Sequence, residues 1–199
     1  MSTTRTRRPD RPAPRPDATG PAQRLLDTAS KLFAAQGIRA VGIDQILRDS
    51  GVAKASLYSS YGSKDALVHA YLNQLDQADR KRWEARTATV GDPVDRVLAF
   101  FDLAAGAARS RGFRGCLYAN AATEFPDDIL EPVRAHRVWV RTQLTALLGQ
   151  AGVTAAAATA RQIQLLYDGA LTASKLDRSV APITLARTMA GQVIADARR

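Results

Sequence analysis

The chain has 199 residues, a formal net charge of +9 and one cysteine, so it is long enough for one sizeable core or for a small unit joined to a larger one. One cysteine excludes an intramolecular disulfide framework and cannot by itself hold a thiolate metal site, and no apolar run approaches the roughly 18 to 20 residues of a membrane span. The N-terminus lacks the apolar stretch of a signal peptide, so we expect a cytoplasmic protein with no membrane partner, metal or cofactor, whose charge favours a polyanionic partner.

Residues 1–20 are rich in arginine and proline. Five arginines stand against two aspartates and almost nothing apolar, so burial cannot offset the cost of ordering the segment. We therefore expect a disordered arm. It is either a solubilising tail or a contact to nucleic-acid phosphates and the minor groove, where it would release counterions.

Helical periodicity begins at residue 21. Apolar residues recur at three- and four-residue spacing up to Gly37, which ends a first helix. A second helix is predicted over about 43–49 and a third over about 54–60. The turn between them contains Gly51, because glycine accepts the positive φ that a sharp reversal demands. Ser63 is a good N-cap for a fourth helix.

The rest of the chain has the same helical pattern. Asp92 is an N-cap, and Pro93 stands at the first helical position after it. Later helices are predicted over about 116–125, from Pro126 to Gly149, from a Thr154 cap to about residue 175, and from Pro182 to about residue 197. No stretch alternates with a period of two, so the sequence predicts an all-α fold of about nine helices.

One segment carries a motif for nucleic-acid binding. Residues 42–67 read GIDQILRDSGVAKASLYSSYGSKDAL. This segment resembles the DNA-binding head of the TetR family. The shared elements are a helix, a Gly-Val turn, a short helix with Leu-Tyr-x-x-Tyr and a following Ser-Lys-x-x-Leu. The match in order and spacing covers Pro21 to Leu67. The resemblance implies a transcriptional regulator with a disordered arm at 1–20, a helix-turn-helix DNA-binding domain at 21–67, and a helical ligand-binding and dimerisation domain at 68–199.

A recognition helix must fit a major groove about 12 Å wide and offer hydrogen-bonding groups to base edges. The third helix does so on its outer face, while Val52, Leu57 and Tyr61 are predicted to point into the head. The predicted DNA-binding residues are Lys54, Ala55, Ser56, Tyr58, Ser59, Ser60 and Lys64.

Some of these residues have individual roles. Lys54 is the candidate reader of a guanine, and Ala55 could contact a thymine methyl group. By resemblance to the family, Ser56, Tyr58 and Lys64 would contact phosphates.

Two positions depart from the pattern of the family. Gly42 stands where a threonine commonly caps the second helix and touches phosphate, so that contact is missing or is made by the backbone. Ala53 replaces a frequent serine cap of the recognition helix, at a cost of about 1 kcal/mol. Neither change removes the motif.

The resemblance also implies a pocket for a small-molecule inducer between residues 92 and 150. Such pockets are mostly apolar with a few placed polar groups, and ordinary core packing is the alternative for each candidate. The predicted ligand-binding residues are Phe100, Phe101, Leu103, Cys116, Tyr118, Asn120, Trp139 and Tyr167. His136 is expected to be a polar surface or core residue rather than a metal ligand.

The resemblance further implies a homodimer in which the last two helices form a four-helix bundle. Two recognition helices must reach half-sites of palindromic double-stranded operator DNA about 34–36 Å apart. Small apolar residues on both helices permit close approach. The predicted stripes contain Leu165, Leu166, Ala170, Leu171 and Ala173, together with Ala186, Met189, Ala190, Val193 and Ile194.

A Gly-Cys-x-x-x-Asn-x-x-x-Glu pattern occupies residues 115–124. It is similar to one in a subset of TetR-like regulators, some of which sense electrophiles or oxidants through the cysteine. A helix N-terminus and the adjacent Arg114 would lower the thiol pKa of Cys116, whereas a free cysteine commonly serves as a small buried apolar residue. Thiol sensing therefore stays open beside a structural or pocket role, in which Asn120 and Glu124 could pair internally.

Functions of other classes have little support in the sequence. There is no phosphate-cradling glycine loop, no HExxH pair and no nucleophile elbow, so we do not expect an enzyme. A helical adaptor that had lost DNA binding would lack Lys54, Tyr58 and Lys64, which are present. The expected function is a repressor that a small-molecule inducer releases from its operator. Activation of transcription stays open as the alternative to repression.

Overall fold

Nine helices make up the part of the chain that this computed structural model describes, residues 20–128 and 130–199, and that part contains no strand. The helices are α1 (Pro21–Gln36), α2 (Ile43–Ser50), α3 (Lys54–Tyr61), α4 (Lys64–Thr87), α5 (Pro93–Ser110), α6 (Leu117–Glu124), α7 (Glu131–Gln150), α8 (Ala156–Asp177) and α9 (Ala181–Ala197). The predicted all-α fold is confirmed. The predicted arm, apart from Gly20, lies outside the described residues.

Two predicted helix starts are confirmed by their caps. The Ser63 hydroxyl accepts a hydrogen bond from the Ala66 amide at 3.1 Å, and α4 begins at the next residue. The Asp92 carboxylate accepts from the Val94 amide at 2.7 Å, with Pro93 in the first turn of α5. Each cap satisfies one of the backbone donors that a helix start leaves without an intrahelical partner.

Two other predicted starts are wrong. α7 begins at Glu131 rather than Pro126, because a helix from residue 126 would hold Pro132 in its interior, where the ring clashes with the preceding turn. In the observed helix Pro132 lies in the first turn, where its missing N–H costs nothing. α8 begins at Ala156 without the predicted Thr154 cap, and the Ala155 carbonyl instead accepts from the amides of residues 158 and 159.

The buried apolar residues form two clusters. The body cluster fills the space among α5, α7, α8 and α9 and contains Phe101, Leu144, Leu148 and Ile163. The head cluster joins α1, α2, α3 and the first half of α4, and it also includes residues of α6 and the start of α7. α6 therefore packs into the core of the head although it lies about 50 residues further along the chain than the predicted head boundary.

Helix α4 connects the two clusters. It runs without a break across residue 67, where the predicted domain boundary lies, and its 24 residues span about 36 Å. Leu67, Leu72 and Leu75 pack in the head cluster, while Trp83 packs in the body cluster. The head and the body thus share one continuous helix.

Helices α8 and α9 pack against each other and leave an apolar outer face. Ala170, Leu171, Ala186, Ala190 and Ile194 of the predicted stripes are buried within this chain, in the body cluster. The outer face carries Leu165 and Met189 of the predicted stripes, which are 71% and 40% exposed, together with Leu176 and Leu185, which are 76% and 62% exposed. No helix in the described ranges is long and apolar enough to cross a membrane.

Candidate DNA-binding head and ligand cavity

The core of the head fixes the orientation of α3. Leu57 of α3 and Ile46 of α2 are fully buried, and Val52 in the turn between them is nearly so. Gly51 makes that turn with φ of 65°, in the left-handed region. Tyr61 at the end of α3 donates its hydroxyl hydrogen to the Ala22 carbonyl at 2.8 Å, so α3 is held from both ends.

The opposite side of α3 faces outward. Lys54, Ala55, Ser59 and Ser60 are exposed, Tyr58 is 45% exposed, and Ser56 is half-buried. The structure therefore brings six of the seven predicted DNA-binding residues together on one surface. Neither Gly42 nor Ala53 forms a side-chain cap, which leaves the first amides of α2 and α3 without that partner.

Lys64, the seventh predicted residue, makes a contact that the sequence did not indicate. Its ammonium group donates to the Ile38 carbonyl at 2.9 Å, in the segment between α1 and α2. The side chain is half-buried at the first position of α4. Lys64 thus ties the start of α4 to the α1–α2 segment.

A cavity of about 350 Å³ lies between α4, α5, α6, α7 and α8. Trp83 stacks on Phe100 with a centroid distance of 5.2 Å, and Trp139 meets both rings edge-on at 5.9 and 5.8 Å. The volume and the aromatic wall are typical of a small-molecule site. Six predicted ligand-binding residues line it: Phe100, Leu103, Cys116, Tyr118, Trp139 and Tyr167.

Phe101 and Asn120 do not line this cavity. Phe101 lies about 100° around α5 from Phe100, is 1% exposed in the body cluster and packs edge-on against Tyr167 of α8 at 5.5 Å. Asn120 donates to the Arg114 carbonyl at 2.9 Å and accepts from the Lys175 ammonium at 3.1 Å.

Polar groups on α4, α6 and α7 form one side of the cavity. The Tyr118 ring stacks on His136 at 3.8 Å, and the Tyr118 hydroxyl donates to Asp79 at 2.9 Å. His136 Nδ1 lies 2.8 Å from an Asp76 oxygen. Burial lowers the pKa of His136 against the opposing effect of Asp76, and burial together with Asp79 raises the pKa of Tyr118.

His136, which was expected only as a surface or core residue, also lines the cavity. Five charged residues that were not predicted line it as well: Asp79, Arg82, Asp102, Arg111 and Arg114. A usable signal was present on α4. Asp76, Asp79 and Trp83 recur at three- and four-residue spacing and so mark the face of α4 that meets the body. No group of three or more metal-ligating side chains was found in the described part of the chain.

The Gly-Cys-x-x-x-Asn-x-x-x-Glu pattern makes structural contacts at each position. Gly115 has φ of 70°, and a Cβ there would lie 3.1 Å from the Lys175 side chain. Cys116 is the N-cap of α6, and its Sγ accepts from the Ala119 amide at 3.4 Å. Burial raises the thiol pKa of Cys116 and outweighs the hydrogen bonds that lower it. The expected lowering of that pKa is wrong, and the thiol stays protonated near neutral pH.

Glu124 joins the end of α6 to the head. Its two carboxylate oxygens accept from the backbone amides of Ile38 at 3.1 Å and Arg39 at 2.6 Å. A Cβ at Gly37, where φ is 94°, would lie 3.1 Å from the same carboxylate. Since Asn120 and Glu124 bond to different groups, their predicted internal pairing is wrong.

Comparisons with known proteins agree with this architecture. A sequence model described as "Bacterial regulatory proteins, tetR family" matches residues 25–71. The crystal structure of a TetR-family transcriptional regulator from Streptomyces coelicolor superimposes with a TM-score of 0.83 at 34% identity, over 90% of this chain and 97% of that one. The chain belongs to the TetR family. Its helix-turn-helix head and helical body are those of a TetR-family transcriptional regulator.

Other relatives differ in how much of the chain they match. The HTH-type transcriptional repressor NemR of Escherichia coli is 27% identical over 87% of this chain and 93% of its own length. The reduced form of NemR has the same fold, with a TM-score of 0.75. Two uncharacterised HTH-type regulators of Mycobacterium tuberculosis are 30% identical over 77 residues, a match that spans 38% of their length.

Proposed function

We propose that this TetR-family protein is a homodimeric repressor that binds a palindromic operator through α3 and releases it when a small molecule occupies the body cavity. One observation carries the proposal: α6 belongs to both sites. Leu117 and Tyr118 line the cavity and also pack in the head cluster. A ligand that displaces them would therefore disturb the core of the head directly.

The end of α6 extends this connection to the DNA-binding side. Glu124 binds the amide of Ile38, and the carbonyl of the same residue accepts from Lys64. One backbone unit of the α1–α2 segment is thus held from the cavity side by Glu124 and from the DNA side by Lys64. A shift of α6 would be passed to the start of α4 and to the DNA-binding surface next to it.

The energetic requirement is that the ligand prefers one arrangement of α6. A ligand shifts an equilibrium only by its difference in affinity for the two states. In a dimer the two recognition helices must match half-sites about 34–36 Å apart, so a small change in how each head sits on its body lowers operator affinity. This is how cavity occupancy would lead to release.

The outer face of α8 and α9 supports the homodimer. Leu165 and Leu176 on α8 and Leu185 and Met189 on α9 are large apolar side chains exposed to water in the single chain. Several large apolar side chains exposed on two neighbouring helices favour an interaction site. A second copy of the chain would bury the same face of both subunits in a two-fold arrangement.

The DNA-binding part of the proposal is tested by selecting operators from random duplexes with the purified full-length protein. We expect enrichment of a palindrome with half-sites about one helical turn apart. Tyr58→Ala should weaken binding to all sequences, and Lys54→Ala should also change the preferred sequence. Lys81→Ala is the matched control, because Lys81 is exposed in the second half of α4, away from the DNA-binding residues of α3. Absence of enrichment at low salt, or equal affinities in all variants, would contradict the proposal.

A further inference from the structure

The charged side chains of the cavity are not balanced. Arg82, Arg111 and Arg114 line it together with two carboxylates, Asp79 and Asp102. His136 adds no charge near neutral pH, because burial lowers its pKa. The lining therefore carries more positive than negative charge.

Both carboxylates already have basic partners. Asp79 forms an ion pair with Arg82, its neighbour on α4. Asp102 pairs at 2.8 Å with Arg187 of α9, which does not line the cavity. The shortest contacts of both carboxylates are therefore with arginines outside the segment between α5 and α6.

The arginines of that segment are Arg111 and Arg114. Arg111 reaches Asp79 only at 3.9 Å, on a carboxylate that Arg82 already contacts. Arg114 forms no ion pair with any residue in the described ranges, and its buried Nε has no hydrogen-bond acceptor there. A buried guanidinium N–H without an acceptor is destabilising, so the site favours a ligand that supplies one.

Arg96 also has a buried guanidinium nitrogen without an acceptor in the described ranges, but its surroundings differ from those of Arg114. The Arg96 guanidinium lies over the Trp83 ring at 5.5 Å. That aromatic face partly compensates the charge. Arg114 has no such ring in the described part of the chain and, unlike Arg96, lines the cavity.

The backbone holds Arg114 in place. Asn120 donates to its carbonyl at 2.9 Å, and Gly112, Phe113 and Gly115 around it all have positive φ. The left-handed conformation of Phe113 is costly for a bulky residue and persists only where the surroundings impose it. A segment fixed in this way presents its cation without a large ordering cost on binding.

The geometry points to an organic anion as the occupant of the cavity, with an aromatic or similarly apolar body against Trp83, Phe100 and Trp139 and a carboxylate-like group on Arg114 and Arg111. This inference rests on the proposed function, since it names the class of molecule that would release the operator. A carboxylate matches the planar fork of a guanidinium and forms charge-assisted hydrogen bonds with it.

The two tryptophans provide the assay. The chain contains only two, and both line the cavity, so intrinsic fluorescence reports occupancy. Three probes share one phenylpropyl body and differ in their head group: hydrocinnamate, hydrocinnamamide and phenylpropylammonium. We expect hydrocinnamate to bind about tenfold more tightly than the amide, and the ammonium compound to bind most weakly.

Variants assign the preference to Arg114. Arg114→Gln should bring the affinities for the carboxylate and the amide together, and Arg114→Lys should keep much of the difference because it retains the charge. Arg109→Gln removes the same charge from an exposed position on α5 that does not line the cavity, so it should leave the preference unchanged. Circular dichroism and the melting temperature verify that each variant folds.

Three results would overturn the inference: equal or tighter binding of the amide or the ammonium probe, an unchanged carboxylate preference in Arg114→Gln, or no fluorescence response to any probe. Operator binding by the same unliganded preparation is measured separately. If the selected operator is bound while the carboxylate preference is absent, the inference fails and the DNA-binding function stands. If no operator is bound, the proposed function itself fails.

Discussion

The contact between Glu124 and the head predicts that a single oxygen-to-nitrogen change uncouples the cavity from the operator. In Glu124→Gln the side chain keeps its shape, loses its charge and retains one acceptor oxygen, so one of the two bonds to the Ile38 and Arg39 amides is lost. Hydrogen bonds to charged groups contribute about 1.5–3 kcal/mol, and Glu124 is only half-buried, which places this bond at or below the lower end. We take the loss as about 1 kcal/mol, which corresponds to about a fivefold factor.

The quantity to measure is the ratio of operator dissociation constants with and without saturating hydrocinnamate, obtained by fluorescence anisotropy of a labelled operator. We expect this ratio to move about fivefold towards one in Glu124→Gln, while the affinity for the probe itself stays unchanged, because Glu124 does not line the cavity. Glu131→Gln is the control, since Glu131 is exposed and pairs only with Arg134 in the described part of the chain. A folded Glu124→Gln protein with the wild-type ratio would refute the role of this contact.

Three further predictions concern other parts of the molecule. Burial holds the pKa of His136 below its unfolded value of about 6.5, so the unfolded state takes up the proton first. Urea unfolding should therefore show stability that is fully present above about pH 6.5 and is lost as the pH falls below that value, and His136→Gln should flatten this dependence. Because burial raises the thiol pKa of Cys116, this thiol should react with iodoacetamide more slowly than a free thiol at neutral pH. Cys116→Ser should keep the ligand-induced release of the operator, whereas loss of that release would favour thiol sensing. Leu176→Glu should convert the dimer to a monomer in sedimentation experiments. Val138→Glu, which changes an exposed apolar residue on α7, should leave the dimer intact. If both variants are dimers, the outer face of α8 and α9 is not the dimer interface.

The head could be predicted closely because its signals are local. Helical periodicity, the Ser63 cap and the glycine between α2 and α3 each act within a few residues, and the structure places all of them as expected. The outward face of α3 followed from the same periodicity. Asp92 and Pro93 marked the start of α5 for the same reason.

The contacts of α6 could not be predicted because they join distant parts of the chain. Glu124 and Ile38 are 86 residues apart, and no local pattern indicates which amides the carboxylate meets. The lack of a hydrogen-bond acceptor for Arg114 Nε could not be predicted either, because it depends on which groups the folded chain packs around that nitrogen. Phe101 was assigned to the pocket because it is aromatic, and its helix position sends it into the core instead.

The central claim, that cavity occupancy and operator binding oppose each other, is tested most directly by measuring both affinities in one protein. Hydrocinnamate binding is followed by tryptophan fluorescence with and without a saturating selected operator, and operator binding is followed by anisotropy with and without saturating hydrocinnamate. Linkage requires the two affinities to change by the same factor. Opposition between the two sites predicts that each ligand lowers the affinity for the other by one common factor above about five. Independent binding of both ligands, with neither affinity changed, would contradict it.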